Sequence, residues 1–433
     1  MRLLLANRNA RLYILGQSLS SLGDSALWLA LGIWIKMLTG SASAAGLSFF
    51  MFTLGGLGGP LGGLLADRVR RRPLLIVVNL ATAALVLFLL LVGGRQQVWL
   101  IYAVMFGYGL SAAVLGPAQS ALLQTVIPEE LLGEANSVMQ TLREGMRLIT
   151  PLLGAGLLTA FGPTPVIVAD AVTFLIAVAA LLAMQVHEER PKPSGQRLIA
   201  EAVAGARHIR RTAVLRQVTL AAGLAIVAFG LAETAVFAVV GQGLHRPDGF
   251  IGVVVSTQGV GAIVAGLTAT ALMRRLGEGR LVALGLANAT LGFLLLATSS
   301  TAAALAGAAF VGSSLPLITV GLMTLFQRRT PPELMGRTDA ALGLVLSTPQ
   351  TIAIALGAAL ISVVDYRILL LGVAGLVLLA SGYLFTRAEL RSPDRALAAS
   401  AAAPACSRDT PAAAPSQSTS KPSPVASGRS GKV

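Results

Sequence analysis

Apolar residues along the chain gather into twelve long runs, which are separated by turn, glycine and charge signals. Each run has about 18 residues or more, which lets one α-helix cross a hydrocarbon layer of roughly 30 Å. We therefore predict an all-α membrane protein with twelve transmembrane helices. The first six spans are predicted at 12–37, 42–65, 74–93, 98–125, 136–160 and 164–184. The last six are predicted at 214–242, 248–272, 281–298, 302–326, 338–362 and 367–386.

The second half of the chain repeats the first. The string Q-T-V-I-P-E-E-L-L-G begins at Gln124, and Q-R-R-T-P-P-E-L-M-G begins at Gln327, 203 residues later. The same offset relates further positions: Gly46 to Gly249, Gly56 to Gly259, Gly58 to Gly261, Gly63 to Gly266, Arg71 and Arg72 to Arg274 and Arg275, and Gly154 to Gly357. A long repeat in an apolar chain predicts two pseudo-symmetric six-helix bundles, an architecture typical of secondary transporters.

The repeat and the composition divide the chain into four parts. We predict an N-terminal bundle at 1–184, a basic cytoplasmic linker at 185–213 and a C-terminal bundle at 214–390. Within the linker, the stretch 197–211 is predicted to be a basic helix on the inner leaflet. Residues 391–433 are rich in Ala, Ser and Pro and are predicted to be a disordered cytoplasmic tail.

Composition and charge narrow the class of function. The chain is 55% hydrophobic and only 12% charged, whereas soluble domains carry about 25% charged residues. Its net charge of +14 comes from basic residues in the loops between spans, where they act as topology signals and headgroup contacts. This pattern predicts both termini on the cytoplasmic side of the cell membrane and no nucleic-acid partner.

Enzyme and cofactor motifs are not found in the sequence. One cysteine and three histidines offer no metal-binding pattern. No nucleotide-binding loop of the type G-x-x-x-x-G-K-[ST] occurs, which argues against ATP-driven transport. We therefore expect neither an enzyme nor a bound cofactor or metal.

The loop between spans 2 and 3 reads G-L-L-A-D-R-V-R-R-R, and it resembles the signature loop of the major facilitator superfamily, Gly-x-x-x-Asp-Arg-x-Gly-Arg-Arg. Five positions match: Gly63, Asp67, Arg68, Arg71 and Arg72. The resemblance implies the major facilitator fold and a cytoplasmic gate at these residues. Gly63 would allow close helix packing, and Asp67 would face the N-terminus of another helix. Alternatively, the arginines only anchor topology.

Five shorter segments are similar to the group of drug:proton antiporters that includes macrolide and enterobactin-type siderophore exporters: Leu15–Asp24, Leu38–Ala42, Gly116–Leu123, Ala169–Leu175 and Pro331–Arg337. This resemblance implies export of an amphiphilic small molecule in exchange for protons, by a monomer in contact with membrane lipids. A proton-coupled importer of a small metabolite and a lipid transporter of the same fold remain alternatives.

Two acidic residues inside the predicted spans are candidates for proton coupling. A charged side chain at mid-membrane costs at least about 2.5–3.5 kcal/mol, so such residues are usually functional. Asp24 lies about 12 residues, or roughly 18 Å, into the first helix. Glu233 lies on the first helix of the second bundle and is expected to face the same cavity. The alternatives are a structural acid bonded to nearby serines for Asp24, and an acid reaching outer water for Glu233.

Other charged residues fall nearer the ends of their predicted helices. Arg143, Glu144 and Arg147 lie close together near the cytoplasmic part of span 5, and i,i+3 and i,i+4 neighbours share a helix face. They are candidates for lining an inner vestibule, or else they extend to the membrane interface. Asp170 lies near the outer end of span 6 and is predicted to be a structural partner.

Three aromatic residues on spans 1 and 7 are further candidates for the cavity. Trp28, Phe229 and Phe237 offer stacking surface to a lipophilic substrate. The alternative is that they only pack against other helices, as most aromatics in membrane proteins do. We name them as candidate cavity residues.

Overall fold

Nearly all of the described chain is helical. The computed structural model describes residues 7–127, 129–186, 188, 198–331 and 334–387. Most of the predicted linker before 198, and the whole of the predicted tail, lie outside these ranges.

The described α-helices follow one another with short connections. In chain order they are α1 Arg8–Thr39, α2 Ala42–Gly56, α3 Gly59–Arg68, α4 Arg71–Leu87, α5 Val98–Val126, α6 Glu129–Phe161, α7 Pro163–Ala183, α8 Leu198–Arg211, α9 Ala213–Glu233, α10 Ala235–Ala238, α11 Phe250–Leu276, α12 Glu278–Leu296, α13 Thr301–Arg329, α14 Met335–Leu360 and α15 Tyr366–Thr386. Short 3-10 turns at Phe88–Leu91 and Arg95–Gln97 lie between α4 and α5, and a π-turn at Val239–Gly243 follows α10.

The prediction of twelve membrane-spanning helices is confirmed. Within the described residues, ten helices are long and apolar enough to cross a membrane. Two shorter apolar helices, Ala42–Gly56 and Leu148–Phe161, fall at the predicted second and fifth spans. Helices are expected here because each one satisfies its own backbone hydrogen bonds, which hydrocarbon cannot do. The protein is therefore a multi-pass membrane protein.

The sequence repeat reappears in the helix bounds. Both α5 and α13 have 29 residues, and they begin at Val98 and Thr301, which are 203 positions apart. Both α7 and α15 have 21 residues, and they begin at Pro163 and Tyr366, again 203 positions apart. The two six-helix bundles are thus pseudo-symmetric, as the major facilitator fold requires.

The helices of each half pack mainly on one another. In the first half α1 packs on α7, α6 and α2, and in the second half α12 packs on α13 and α15. The main helix pairs that join the halves are α6 with α11 and α2 with α14, and α10 also contacts α2. Gly252 on α11 lies directly against Pro151 and Ala155 of α6, and Gly46 on α2 lies against the Thr234 side chain. These contacts lie on the predicted outer half of the helices.

Three spans differ in detail from their prediction. The second is two helices, α2 and α3, because the glycine-rich stretch 55–59 interrupts it. The seventh is broken after Glu233 and ends in the π-turn. The fifth begins at Glu129 rather than near 136, because its polar first turns continue the helix beyond the apolar stretch.

The predicted basic helix in the linker is present as α8. It packs against the start of α14, where Gly205 lies directly against the Arg337 carbonyl group. Ile209 is buried, while Arg210 and Arg211 are exposed. Its location on the inner leaflet stays a prediction.

Candidate functional site

A cavity of about 640 Å³ lies between the two halves. Ligand pockets in proteins usually have about 300–1,000 Å³, so a drug-sized molecule fits. Helices of both bundles line it, and the lining is mostly apolar with a few polar groups. The lining residues used below are Gln17, Asp24, Trp28, Phe49, Tyr108, Phe229, Glu233 and Phe293.

The predicted coupling acid Asp24 lies at this cavity. It occupies the middle of α1, and the Tyr108 hydroxyl group of α5 donates a hydrogen bond of 2.6 Å to Asp24 Oδ1. A hydrogen bond this short is typical of a hydroxyl group donating to a charged oxygen. Of the serines considered as alternative partners, Ser18 does not bind Asp24, because its hydroxyl oxygen has no hydrogen-bond partner among the described residues.

The second predicted acid, Glu233, lines the same cavity. It is the last residue of α9, where the seventh span breaks before α10. Its neighbour Thr234 is fully buried and lies against Gly46 of the other half. The break therefore brings an acid into the cavity at a point where the two bundles touch.

Aromatic rings form two walls of the cavity. Trp28 is stacked on Phe49, with ring centroids 4.3 Å apart, and Phe229 meets Phe293 edge to face at 5.4 Å. Phe237 is 0% exposed and packs behind Phe49 at 5.6 Å, so it supports the wall without lining it. Phe49 and Phe293 could not be recognised from the sequence, because an aromatic residue in a wholly apolar helix has no distinguishing pattern.

An ion pair joins the halves at the predicted outer end. Lys36 Nζ, near the end of α1, lies 2.7 Å from Asp248 Oδ1, just before α11. The same Nζ donates a hydrogen bond of 2.7 Å to the Phe237 carbonyl oxygen. This pair was not predicted from the sequence, although a lysine inside the predicted span 12–37 could have indicated an ion pair.

The signature loop makes its described contacts with the first half and with the linker residue Glu188. Arg71 donates to the Thr125 hydroxyl group at 3.3 Å. Arg72 donates to the carbonyl oxygens of Leu181 and Leu182, at 2.7 and 3.0 Å, and so caps the C-terminal end of α7. The backbone N–H of Arg72 also donates to Glu188 at 3.1 Å.

The close helix contact expected at Gly63 is instead made by its neighbour. No atom lies within 4 Å of where a Cβ at Gly63 would be, whereas Gly62 lies directly against the Ala113 carbonyl group of α5. Gly62 faces α5 and Gly63 faces away, because successive helix residues point about 100° apart. Arg68 is exposed. The side chain of Asp67 lies outside the described part of the structure.

The predicted inner vestibule falls on α6. Its backbone is helical throughout Glu129–Phe161. The side chains of Arg143, Glu144 and Arg147 lie outside the described part of the structure, so their role stays a prediction.

Comparison with known protein families gives one match over most of the chain. The sequence profile of the Major Facilitator Superfamily matches residues 13–338. Macrolide efflux protein A of Streptococcus pyogenes is 27% identical over 165 residues, which cover 37% of this chain and 41% of that protein. An uncharacterized MFS-type transporter of Bacillus subtilis, YfiS, is 27% identical over 170 residues, covering 38% and 39%. The match thus spans about two fifths of the length of these relatives.

Solved structures resemble the whole fold at low sequence identity. A bacterial homologue of the iron transporter ferroportin, in an inward-facing state, is 18% identical with a TM-score of 0.66, covering 88% of this chain and 99% of that chain. The nucleoside transporter NupG is 11% identical with a TM-score of 0.73, also covering 88% and 99%. At these identities the likeness concerns the fold alone.

Proposed function

The chain belongs to the major facilitator superfamily, and on that premise we propose that it exports an amphiphilic small molecule in exchange for protons. The substrate class is drug-like, of the macrolide or siderophore type. Transport proceeds by alternating access of the cavity to the two sides of the membrane. Asp24 takes up and releases the coupling proton, and Glu233 assists at the same cavity.

The observation that carries this proposal is the position of Asp24 at the cavity. A charged side chain in the middle of a spanning helix raises the free energy of membrane insertion, so residues of this kind are usually functional. Asp24 lines a space large enough for a drug, so substrate and proton compete for one carboxyl group. Competition of this kind couples the two ligands, because each lowers the affinity for the other.

The walls of the cavity support an amphiphilic substrate. The rings of Trp28, Phe49, Phe229 and Phe293 offer apolar stacking surface. The acids Asp24 and Glu233 offer an anionic or proton-accepting site beside them. A molecule with a lipophilic body and a basic or hydrogen-bonding group matches both features. The partial similarity to macrolide efflux protein A supports export within this class.

The proposed orientation assigns an inner and an outer side to the cavity. The basic residues of the loops favour both termini in the cytoplasm of a cell whose membrane holds the protein. On this orientation the Lys36–Asp248 pair closes the outer side, and Asp67 with the arginines of the signature loop controls the inner side. The cavity then takes substrate from the cytoplasm or the inner leaflet.

The test is substrate-driven proton release in everted membrane vesicles that contain the protein. Macrolides, siderophores, cationic dyes and neutral sugars are added one at a time, and proton movement is followed with a pH-sensitive dye. Wild type is compared with Asp24→Asn and with Asp365→Asn. Asp365 is exposed and caps α15, and asparagine caps helices equally well, so this variant is a matched carboxyl-to-amide control.

We expect amphiphilic compounds to release protons from wild type and from Asp365→Asn, and to release about tenfold fewer or none from Asp24→Asn. Equal release from all three proteins would overturn the role of Asp24. No release with any compound, from protein that unfolds at the normal temperature, would overturn antiport. Proton movement in the opposite direction, driven by sugars, would instead support import of a small metabolite.

A further inference from the structure

Asp170 is an acid buried inside the first bundle that no described contact neutralises. It lies on α7 and is 1% exposed. Neither oxygen of its carboxyl group has a hydrogen-bond partner among the described residues. Polar groups buried this deeply are almost always hydrogen-bonded, so the arrangement calls for a ligand, and the smallest one is a proton.

The carboxyl group of Asp170 lies against α1 beside the cavity acid. A Cβ atom at Gly23 would be 2.6 Å from Asp170 Oδ1, so only glycine lets α1 and α7 approach this closely here. The next residue along α1 is Asp24. The Tyr108 hydroxyl group binds Asp24, and the Tyr108 ring meets Phe174 edge to face at 6.1 Å. Phe174 lies four positions beyond Asp170 on the same face of α7, so Asp170 is on the side of α7 that faces Tyr108 and Asp24.

Described cations do not reach this pair. Among the side chains that the structure describes, the titratable groups near Asp170 are Asp24 on α1 and Tyr108 on α5. Arg72 on α4 binds the far end of α7, at Leu181. That residue is 11 positions beyond Asp170, or roughly 16 Å along a helix. Two neighbouring carboxylates that no described cation neutralises are costly to charge together in a site of low polarity, and interacting pairs of this kind titrate as a unit.

We propose that Asp170 is the second carboxyl group of the proton site, and that it shares with Asp24 one proton that Asp24 exchanges with the cavity. This proposal rests on the proton antiport proposed above. The pair binds one proton from cavity water, and the proton leaves from Asp24 to cavity water when the substrate engages that carboxyl group. Asp170 does not touch the substrate. In the absence of Asp170, Asp24 can remain charged with the Tyr108 hydrogen bond alone. The presence of Asp170 is therefore what makes the bound proton necessary.

The first test separates coupling from transport with Asp170→Asn, which keeps the shape of the side chain. The protein is purified and reconstituted into liposomes, and two assays are run. Exchange of labelled for unlabelled substrate requires no net proton movement, whereas uphill accumulation requires an imposed pH gradient. We expect Asp170→Asn to keep exchange within about twofold and to lose accumulation at least tenfold. The control Asp365→Asn should keep both.

A structural role predicts another pattern. If Asp170 only supports packing, then Asp170→Asn lowers the unfolding temperature and reduces exchange and accumulation in the same proportion. Accumulation by Asp170→Asn at the wild-type level would likewise overturn the proposal. If wild type itself shows exchange without accumulation, then antiport fails, and the shared proton is judged by the second measurement alone.

The second measurement needs no Asp170 variant. Infrared difference spectra of wild-type protein in lipid, recorded over a range of pH, detect the C=O stretch of a protonated carboxyl group. We expect such a band at neutral pH, and we expect Asp24→Asn to change the pH at which it disappears. Its absence from wild type, or an unaltered titration in Asp24→Asn, would refute a shared proton even if Asp170→Asn failed to fold.

Discussion

The ion pair between Lys36 and Asp248 gives a direct test of how the predicted outer side closes. Its nitrogen and oxygen atoms are 2.7 Å apart, and the two side chains are 11% and 28% exposed. It ties the end of α1 to the start of α11, so we expect it to exist only while the outer side is closed. Lys36→Met removes the charge, retains much of the apolar stem, and also leaves the Phe237 carbonyl group without its donor.

The size of the effect follows from the burial of the pair. Exposed ion pairs contribute about 0.2–1 kcal/mol, whereas removing one partner of a buried pair costs about 3–5 kcal/mol. Because this pair is mostly but not wholly buried, we expect Lys36→Met to weaken the closed state by about 1–3 kcal/mol. That corresponds to a change of about 5- to 150-fold in the equilibrium between closed and open outer sides.

Spin-label distances across the outer side measure this equilibrium. Gln96 and Thr298 are exposed in outer turns of the first and second halves, and each can be replaced by a labelled cysteine after Cys406→Ser removes the one native cysteine. We expect Lys36→Met and Asp248→Asn each to raise the population at longer distance. The double variant should add little to either one, because both changes break the same contact. Unchanged distance distributions, or strictly additive effects, would refute the reasoning.

Three further predictions concern residues in or near the first bundle. Tyr108→Phe removes a hydrogen bond to Asp24 worth about 1.5–3 kcal/mol, so substrate-driven proton release should slow about tenfold or more, and an unchanged rate would contradict this role. Trp28→Ala removes a stacked pair worth about 0.5–1.5 kcal/mol, so the substrate concentration for half-maximal proton release should rise about 2- to 10-fold, and no rise would mean that the ring only packs. Arg72→Ala leaves the carbonyl groups at the C-terminal end of α7 without these donors, so the free energy of unfolding, measured by heating in detergent, should fall by about 1–3 kcal/mol. An unchanged free energy would show that water replaces these bonds.

The fold could be predicted from the sequence because the bilayer allows few solutions. A run of apolar residues in hydrocarbon must be a helix, so counting runs was enough to find twelve spans. The breaks inside spans were harder to predict. The break after Glu233 falls within L-A-E-T-A-V, where no glycine or proline marks it. Its position depends on contacts with the other half, such as that of Thr234 with Gly46, which no local pattern reveals.

The acids of the candidate site were the easiest part to predict, because a charged side chain in a membrane-spanning helix is energetically unfavourable by itself. Asp24 was found because a carboxyl group in a spanning helix is unfavourable whatever surrounds it. Tyr108 was not found, because a tyrosine is unremarkable in a membrane helix until its hydroxyl group meets an acid 84 positions away. The role of Lys36 depends on its contacts with Asp248 and with a carbonyl group 201 positions away. Pairings over such distances depend on how the helices pack, which the order of residues does not state.

The repeat is present in the helix packing but not in the group of titratable residues at the cavity. Glycines at helix contacts recur at the offset of 203 residues, and so do the bounds of α5 and α7. The group of Asp24, Tyr108 and Asp170 does not recur. At the offset of 203, Tyr108 and Asp170 correspond to Val311 and Val373. Asp24 corresponds to Phe229, because the equivalent glycines Gly154 and Gly357 lie against Ala26 and Leu231, which are 205 positions apart. Since valine and phenylalanine carry no titratable proton, the second bundle cannot repeat the proposed proton chemistry at these positions. It contributes Phe229, Phe293 and the unmatched acid Glu233 to the cavity instead. Under the proposed alternating access, the bundle that carries the proton site and the bundle that adds Phe229, Phe293 and Glu233 would open the shared cavity to each side of the membrane in turn.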